Sequence, residues 1–443
     1  MTNESKYPSE TFCLLPWVHL STRPDGSMRV CCTANASSVG STNDKEHGGQ
    51  VGILKTDDGK PNNLNVSDFQ TAWNSTYMKN VRKQMLAGEQ PPSCIKCYKE
   101  EAAGHNSKRM WETAYWSQRV DVDKLIADTN EDGSVPPQLA YIDLRFGTKC
   151  QLACVMCSPH DSSKWVKDWK LQYPKYELID LKQDQGWDPG FDYVWYKKSS
   201  FLDSVKNQAH HIKELYFAGG EPLLIPEHYA ILQFMIDEGY AKDCILRYNS
   251  NATDISQRLL DMWEYFKEVK FNFSIDSVGE KNDYIRHPSK WDSIVSNMHL
   301  LDNTSDHITV NLACAVQLLN VHSLAELAQW KLDQNFKKIN RAPYGGGIIG
   351  LHLVYLPSYL NVRVLPQDLK DQAADTISKF ANSINTHEFI NSAYGKMRWL
   401  GLVDYMNSED WSHKLPAAVQ YLEICDKTRE LNFRNTFKEL RNI

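Results

Sequence analysis

Three cysteines stand close together in the segment 144–157, at Cys150, Cys154 and Cys157. Their spacing, Cys-x3-Cys-x2-Cys, can bring three thiolates to one small metal centre while a fourth coordination position stays open. A 4Fe-4S cluster suits such a site, because one of its irons can then bind another molecule. Zinc is the alternative, although structural zinc usually takes four protein ligands, often in Cys-x2-Cys pairs. The spacing therefore favours an open iron-sulfur cluster over zinc.

Composition and charge narrow the class of protein. The chain has 443 residues, of which 42% are hydrophobic and 23% charged, which is typical of a globular protein with two or three domains. A net charge of −6 and a pI near 6.2 argue against a basic groove for nucleic acid. The N-terminus lacks the basic and apolar regions of a signal peptide, and no stretch approaches the roughly eighteen apolar residues of a membrane span. We therefore expect a cytoplasmic protein with neither a nucleic-acid partner nor a membrane span.

The cysteines are distributed unevenly along the chain. There are eleven, and in a reducing compartment such a number indicates metal binding or redox chemistry more often than disulfides. Cys244, Cys314 and Cys425 stand alone among apolar residues, where we expect small buried hydrophobic side chains. The other eight precede residue 158, at positions 13, 31, 32, 94, 97, 150, 154 and 157.

Two changes of pattern suggest three domains. The first 120 or so residues are rich in Gly, Asn, Ser and Asp, which predicts a small, loop-rich domain that a metal centre would help to stabilise. Turn formers, charges and a Pro pair in the segment 128–137 indicate a boundary. We predict an N-terminal domain over 1–127, a core domain over 138–363 and a helical C-terminal extension over 364–443.

The core domain shows short apolar runs that alternate with amphipathic segments. Such alternation predicts an α/β fold with a parallel sheet, here a partial barrel of six β/α units, with the active site at the carboxyl ends of its strands. The predicted strands are Leu139 to Arg145, Ile212 to Phe217, Cys244 to Tyr248, Val269 to Ile275, Ile308 to Ala315 and Ile349 to Leu356. The predicted helices include Glu227 to Glu238, Ile255 to Phe266, Trp291 to Leu301, Leu324 to Gln334 and Gln367 to Ser383. The three cysteines follow the first strand and so lie at the active-site face.

A long insert interrupts this alternation. It covers residues 158–211, contains Trp165, Trp169, Trp187 and Trp195, and has no clean periodicity. The insert either packs on the barrel or forms a lid that contacts substrate.

A second motif follows the second strand of the core. In Gly219-Gly220-Glu221-Pro222 the glycines permit close approach of the backbone to a ligand, and the carboxylate of Glu221 can meet a cationic group. Alone, this sequence would indicate only a turn. Two strand ends further along, at 248–252 and 273–277, also carry polar residues.

With these motifs in place, residues 138–360 resemble the radical S-adenosylmethionine (SAM) enzymes. In that family three cysteines hold a 4Fe-4S cluster whose open iron is chelated by the methionine part of SAM. The resemblance implies that Gly219, Gly220 and Glu221 contact the methionine amino group, and that Asn249, Asn251, Ser274 and Arg286 are further candidate SAM ligands. Arg286 could instead form a surface ion pair, and Asp276 could contact substrate or orient a loop. Gln151 and Met156 depart from the common family pattern of Asn after the first cysteine and an aromatic residue before the third, which puts subfamily assignment in doubt.

The N-terminal cysteines also resemble a known arrangement. Cys-x12-Gly-x4-Cys followed by Cys-x2-Cys, with Cys13, Gly26, Cys31, Cys94 and Cys97, is similar to the auxiliary-cluster region called SPASM or its shorter form, twitch. The further cysteines of a full SPASM region are absent, so the resemblance implies a twitch domain with one auxiliary 4Fe-4S cluster on Cys13, Cys31, Cys94 and Cys97. Here it precedes the barrel instead of following it. Cys32 is a spare thiol, and a zinc knuckle or a purely architectural cluster is the alternative.

The resemblance also implies a function. SAM would be cleaved reductively to a 5′-deoxyadenosyl radical that abstracts hydrogen from a substrate, with electrons from a donor such as flavodoxin or ferredoxin. We expect an oxidoreductase or modifying enzyme that acts on a peptide or protein side chain. Dehydrogenation or epimerisation of a sugar or other small molecule is the alternative, and a non-catalytic zinc or iron-sulfur binding module is the alternative of another class.

Overall fold

The computed structural model describes residues 7–34, 52–102, 106–172, 192–339, 348–383 and 392–443. These residues divide into two units. The first unit takes its residues from the ranges 1–148 and 178–246, and the second takes its residues from 149–177 and 247–443.

The first unit contains both strands and helices. Its strands are β1 (His19–Thr22), β2 (Met28–Arg29), β3 (Tyr141–Phe146) and β4 (Glu214–Gly219). Its helices are α1 (Leu15–Val18), α2 (Phe69–Trp73), α3 (Thr76–Leu86), α4 (Ile95–Ala102), α5 (Lys108–Trp116), α6 (Val122–Ala127), α8 (Ser199–Gln208) and α9 (Pro226–Asp237).

The second unit alternates strands with helices and ends in helices. The strand β5 (Ile245–Ser250) begins in the first unit's range and ends in the second's. It is followed by β6 (Glu268–Ser274), β7 (Ile308–Val316) and β8 (Gly350–Leu353). The helices are α7 (Trp165–Gln172), α10 (Gln257–Trp263), α11 (Gly279–Ile285), α12 (Trp291–Asp302), α13 (Leu324–Asp333), α14 (Gln367–Ser383), α15 (Ser392–Asn407), α16 (Leu415–Arg429) and α17 (Phe433–Thr436).

The strands follow one order, β2-β1-β3-β4-β5-β6-β7-β8, in an open sheet. β1 pairs with β3, and β3 with β4, in parallel, whereas β1 and β2 form an antiparallel pair. In the second unit β6 pairs with β7, and β7 with β8, in parallel. The predicted α/β partial barrel with a helical C-terminal region is confirmed. The N-terminal strands β1 and β2 were not predicted, and the predicted boundaries at 127, 138 and 363 stay predictions.

Side chains that alternate along β3 give the sheet of the first unit one apolar face and one polar face. On β3, Ile142, Leu144 and Phe146 point to one side and are buried. The ring of Phe146 stacks on Phe217 of β4 with centroids 5.8 Å apart and meets Phe201 of α8 edge-on. Burying this face against helices supplies the main stabilisation of the unit. Asp143 and Arg145, the residues between these apolar positions, therefore lie on the opposite face.

The strands predicted for the core are all present, with ends that differ by at most three residues. In the first unit, α2 and α3 follow one another closely but are separate helices. Ser75 separates them, because its backbone is extended and its hydroxyl accepts a hydrogen bond from the amide of Met78. Such a serine satisfies a free amide at the start of a helix and so begins a new one.

A buried lysine makes the stability of the second unit depend on pH. Lys331 on α13 donates its ammonium to the carbonyl of Ile348, and burial lowers its pKa from 10.5 to about 7. The unfolded chain therefore binds more protons than the folded one between about pH 7 and pH 10.5, so stability rises with pH across that window. We expect Lys331→Met to remove this rise, on the order of 1–3 kcal/mol.

Chemical denaturation at pH 7 and pH 10 would measure the difference. The exposed Lys337, mutated to Met, is the matched control. A wild-type pH dependence that persists in Lys331→Met would show that the lysine is not its source.

Candidate active site

The three core cysteines lie in the loop between β3 and α7, which we call the cysteine loop (residues 150–157). Two backbone hydrogen bonds tie it to the end of α11: the amide of Ala153 donates to the carbonyl of His287 at 2.6 Å, and the amide of Val155 donates to Ile285 at 2.8 Å. A turn bond from the amide of Cys157 to the carbonyl of Cys154, 2.9 Å long, closes the loop. The loop thus has a defined conformation that holds its thiols on a fixed backbone.

The thiols of the cysteine loop interact with one another. A hydrogen bond with Cys157 lowers the pKa of Cys154, and the neighbouring charge of Arg286 lowers it further. The same hydrogen bond, followed by burial, holds the pKa of Cys157 well above its usual value, and the charges of Cys154 and Cys150 also raise it. Cys157 is therefore within electrostatic range of both other thiols of the loop.

Several N–H donors approach these sulfurs. The side-chain amide of Asn251 lies 3.7 Å from the sulfur of Cys150, and the amide of Leu152 lies 3.4 Å from it. A guanidinium nitrogen of Arg286 lies 3.9 Å from the sulfur of Cys154. Donors of this kind stabilise thiolates and tune the potential of iron-sulfur clusters. The surroundings of the sulfurs fit a thiolate-bound cluster.

Arg286 is held by a buried carboxylate. Its Nε lies 2.8 Å from Asp276, and the other oxygen of that carboxylate accepts the amide of Ala315 at 2.7 Å. The predicted alternative for Arg286 was an ion pair at the surface. Arg286 does form an ion pair, but the alternative is wrong because both side chains are buried. Asp276 thus holds the guanidinium of Arg286 beside Cys154. Its two predicted roles, contact with substrate and orientation of a loop, stay predictions.

The other predicted SAM ligands of the second unit lie at strand ends. Asn251 accepts hydrogen bonds from the amide of Thr253, 3.1 Å away, and from the side-chain amide of Gln151, 3.2 Å away. Asn249 is exposed on β5 and accepts a bond of 2.8 Å from Asn272 of β6. Ser274 ends β6 on the same face as Asn272. The role of these residues as SAM ligands stays a prediction.

The Gly-Gly-Glu-Pro motif ends β4 in the first unit. Gly219 has a φ of +113°, and a Cβ there would lie 2.7 Å from the amide nitrogen of Phe146. The amide of Gly220 donates to the carbonyl of Gly147 at 3.2 Å. Glu221 is buried and its carboxylate accepts the amide of Leu223 at 3.1 Å. Close packing of its backbone against the end of β3 is therefore one reason why residue 219 is glycine. The predicted contact with SAM is a second reason.

We expect Gly219→Ala to destabilise the protein by roughly 2–4 kcal/mol, since it adds a backbone clash to an unfavourable φ. Gly239→Ala is the matched control, because Gly239 has a φ of +75° but open space where a Cβ would stand. Thermal unfolding of both variants separates the clash from the strain. Equal losses of stability in the two variants would show that contact with β3 contributes nothing.

The N-terminal cysteines converge on one small cavity within the first unit. Cys13, Cys31, Cys94 and Cys97 line it, together with Lys108 and Arg109 among others. Burial raises the pKa of Cys13, and the charges of Cys31 and Cys97 raise it further. Burial also raises the pKa of Cys94, and the charges of Cys31 and Cys13 raise it further. Four thiols with raised pKa values around one space need a cation to become thiolates together, and the irons of a cluster would supply that charge.

Local structure explains the other features of the N-terminal motif. Gly26 has a φ of +86° in the turn between β1 and β2, where its amide donates to the carbonyl of Arg23. A Cβ at this position would lie 2.9 Å from the side chains of Asn63 and Trp195. Cys31, not Cys32, lines the cavity.

No group of three or more His, Cys, Asp or Glu side chains in the described ranges is arranged to hold a metal ion. Both predicted sets of metal ligands therefore stay predictions.

A row of polar residues on the first unit was missed by sequence reasoning. By register, Arg29, Ser21, Asp143 and Tyr216 are neighbours across β2, β1, β3 and β4. Ser21 donates to Asp143 at 2.9 Å, and Arg145 approaches the same carboxylate oxygen at 3.4 Å. The charges at 143 and 145, which alternate with apolar residues along β3, were the available signal.

One family model matches the core of the sequence. Residues 144–330 match the Radical SAM superfamily. The chain contains a radical SAM domain. This family implies a 4Fe-4S cluster and SAM as cofactors. The matched range includes Cys150, Cys154, Cys157 and the Gly219–Pro222 motif.

Solved structures similar to the chain include those of SuiB from Streptococcus suis. SuiB bound to precursor peptide SuiA is 13% identical over 72% of this chain and 62% of its own, with a TM-score of 0.33. SuiB bound to S-adenosylmethionine is 13% identical over 70% and 63%, with a TM-score of 0.34. The chain spans about three fifths of the length of SuiB. No curated protein matches the sequence.

The predicted insert over 158–211 lies within the matched range 144–330. Of the predicted insert, 173–191 lies outside the described residues; in the described part, Trp195 donates to the carbonyl of Pro24 at 2.9 Å and packs on Phe201. Within the described ranges, none of the helices combines the length and apolar character needed to cross a membrane.

Proposed function

We propose that this protein is a radical SAM enzyme that modifies a peptide or protein side chain. The observation that supports the proposal is the placement of Cys150, Cys154 and Cys157 in one loop of the radical SAM domain, with N–H donors directed at their sulfurs. When bound, the 4Fe-4S cluster and SAM supply a 5′-deoxyadenosyl radical that takes a hydrogen atom from the substrate.

The residues of the chain have separate tasks in this proposal. The three loop thiolates bind three irons and leave the fourth open for SAM. Gly219, Gly220 and Glu221 of the first unit are proposed contacts for the amino group of SAM. Asn249, Asn251, Ser274 and Arg286 of the second unit are further proposed SAM ligands. Arg286 keeps its charge beside Cys154 because the buried carboxylate of Asp276 stabilises it.

The N-terminal cavity holds an auxiliary 4Fe-4S cluster on Cys13, Cys31, Cys94 and Cys97. In the polar row of the first unit, the buried carboxylate of Asp143 positions Ser21 and Arg145, and the guanidinium of Arg145 is available to polar groups of the substrate. We propose a cytoplasmic location and a flavodoxin or ferredoxin as electron donor. The peptide class follows from the resemblance to enzymes with twitch and SPASM regions.

Anaerobic reconstitution tests the proposal. Protein reconstituted with iron and sulfide, reduced with dithionite and supplied with SAM should release 5′-deoxyadenosine, measured by mass spectrometry. Protein that prefers zinc, or that holds iron without cleaving SAM, would contradict the proposed function. A modified peptide in the product mixture would support the substrate class, whereas an altered sugar or other small molecule would overturn it.

A further inference from the structure

The C-terminal helix α16 packs against the cysteine loop within the second unit. The hydroxyl of Tyr421 donates to the carbonyl of Val155 at 2.7 Å, and both groups are buried. Val155 is the residue directly after Cys154. A helix 266 residues further along the chain therefore holds the backbone of the loop between two of its thiols.

Trp165 links the cysteine loop to the same helix. Its indole nitrogen donates to the carbonyl of Cys154 at 2.8 Å, and its ring stacks on that of Tyr421 with centroids 6.1 Å apart. The carbonyl of Leu152 accepts the hydroxyl of Ser162. Side chains of α7, α16 and the segment before α7 thus donate to three loop carbonyls, those of Leu152, Cys154 and Val155. These bonds fix the backbone that carries the three thiols.

Arg429, in the last turn of α16, adds a charged side chain to the contact between α16 and α7. Its guanidinium lies over the ring of Trp165, 4.5 Å from the centroid, and its Nε pairs with Asp168 of α7 at 2.8 Å. The side chain is only 1% exposed. Its two terminal nitrogens have no hydrogen-bond partner among the described residues. The carboxylate of Asp168 therefore pairs with a buried guanidinium that packs on Trp165, the residue bonded to the carbonyl of Cys154.

We propose that α16 is part of the cluster site, with Tyr421 and Arg429 as positioning residues for the cysteine loop. Tyr421 fixes the backbone between Cys154 and Cys157, so that the loop is shaped before iron arrives. Arg429 holds Trp165 in place and adds a positive charge that favours the reduced form of a bound cluster, because net charge sets cluster potentials. The second effect rests on the proposed function; the first is a property of the chain alone.

Hydrogen exchange of the metal-free protein tests the first effect. The amides of Ala153 and Val155 donate to the carbonyls of His287 and Ile285, so their exchange rates report opening of the loop. We expect their exchange to become faster by about threefold or more in Tyr421→Phe and in Arg429→Gln. Tyr405→Phe is the control for the tyrosine, because Tyr405 lies in α15 and its hydroxyl accepts from Asn361 at 3.0 Å, away from the loop. Arg434→Gln is the control for the arginine, since Arg434 pairs with Glu423 at the surface.

A redox titration of the reconstituted protein tests the second effect. In Arg429→Gln the loop cluster should titrate at a lower potential than in the wild type, and Arg429→Lys should restore it, because the charge is kept. Unchanged loop exchange in Tyr421→Phe would overturn the positioning role, whether or not a cluster forms. Equal potentials in wild type and Arg429→Gln, or an equal shift in Arg434→Gln, would overturn the role of the charge. If Arg429→Gln fails to fold, Tyr421→Phe and Arg429→Lys still decide the result.

Discussion

Replacing Cys150, Cys154 and Cys157 together with alanine should abolish the release of 5′-deoxyadenosine, a loss of about 100-fold or more relative to the wild type. The reason is that a cluster without protein thiolates is not retained, and no other group in the domain supplies its chemistry. Iron content should fall from about eight to about four atoms per chain, because the N-terminal set would keep its own cluster. Iron analysis and mass spectrometry of the reaction measure both effects.

The matched control is a cysteine that lies outside both sets. Cys244 is fully buried at the start of β5 and belongs to neither. Cys244→Ala should therefore retain the iron and the SAM cleavage of the wild type, apart from a modest loss of stability. SAM cleavage that survives in the triple variant would exclude the cysteine loop as the site of the reaction.

The second large effect concerns the N-terminal cavity. We expect Cys31→Ala to lose the auxiliary cluster, about half of the bound iron, while Cys32→Ala keeps it, because only Cys31 lines the cavity with Cys13, Cys94 and Cys97. SAM cleavage should continue in Cys31→Ala, since the cysteine loop is separate in sequence and is unchanged.

Iron and sulfide analysis of the two single variants, prepared side by side, measures this difference. The pair is well matched, since the two thiols are neighbours in the chain and the substitution is the same. Loss of iron in Cys32→Ala with full iron in Cys31→Ala would reverse the ligand assignment. Full iron in both variants would contradict an auxiliary cluster on these cysteines.

The chemistry-bearing segments could be predicted from the sequence because each is local. The spacing of Cys150, Cys154 and Cys157 and the Gly219–Pro222 motif sit at the ends of strands whose apolar runs are visible in the sequence. The strands β3 to β8 were predicted for the same reason. The auxiliary set of four cysteines could be grouped only through a resemblance, and the cavity on which they converge gives that grouping a physical basis.

The supporting contacts could not be predicted, because they join distant parts of the chain. Nothing near Val155 indicates that its carbonyl accepts a bond from Tyr421, and nothing near Arg286 indicates that Asp276 is its buried partner. The parallel pairing of β1 with β3 is of the same kind, since more than a hundred residues separate Ser21 from Asp143. Local periodicity predicts elements, whereas such pairings depend on tertiary packing.

Electron paramagnetic resonance of the reduced cluster, with and without SAM, tests the central claim most directly. The claim is that Cys150, Cys154 and Cys157 hold a cluster with one open iron, to which SAM binds. The measurement is best made on Cys31→Ala, in which the loop cluster should be the only one left. We predict that SAM changes the spectrum of this cluster, because its ligands displace whatever occupies the open iron. A spectrum that SAM leaves unchanged would contradict the account.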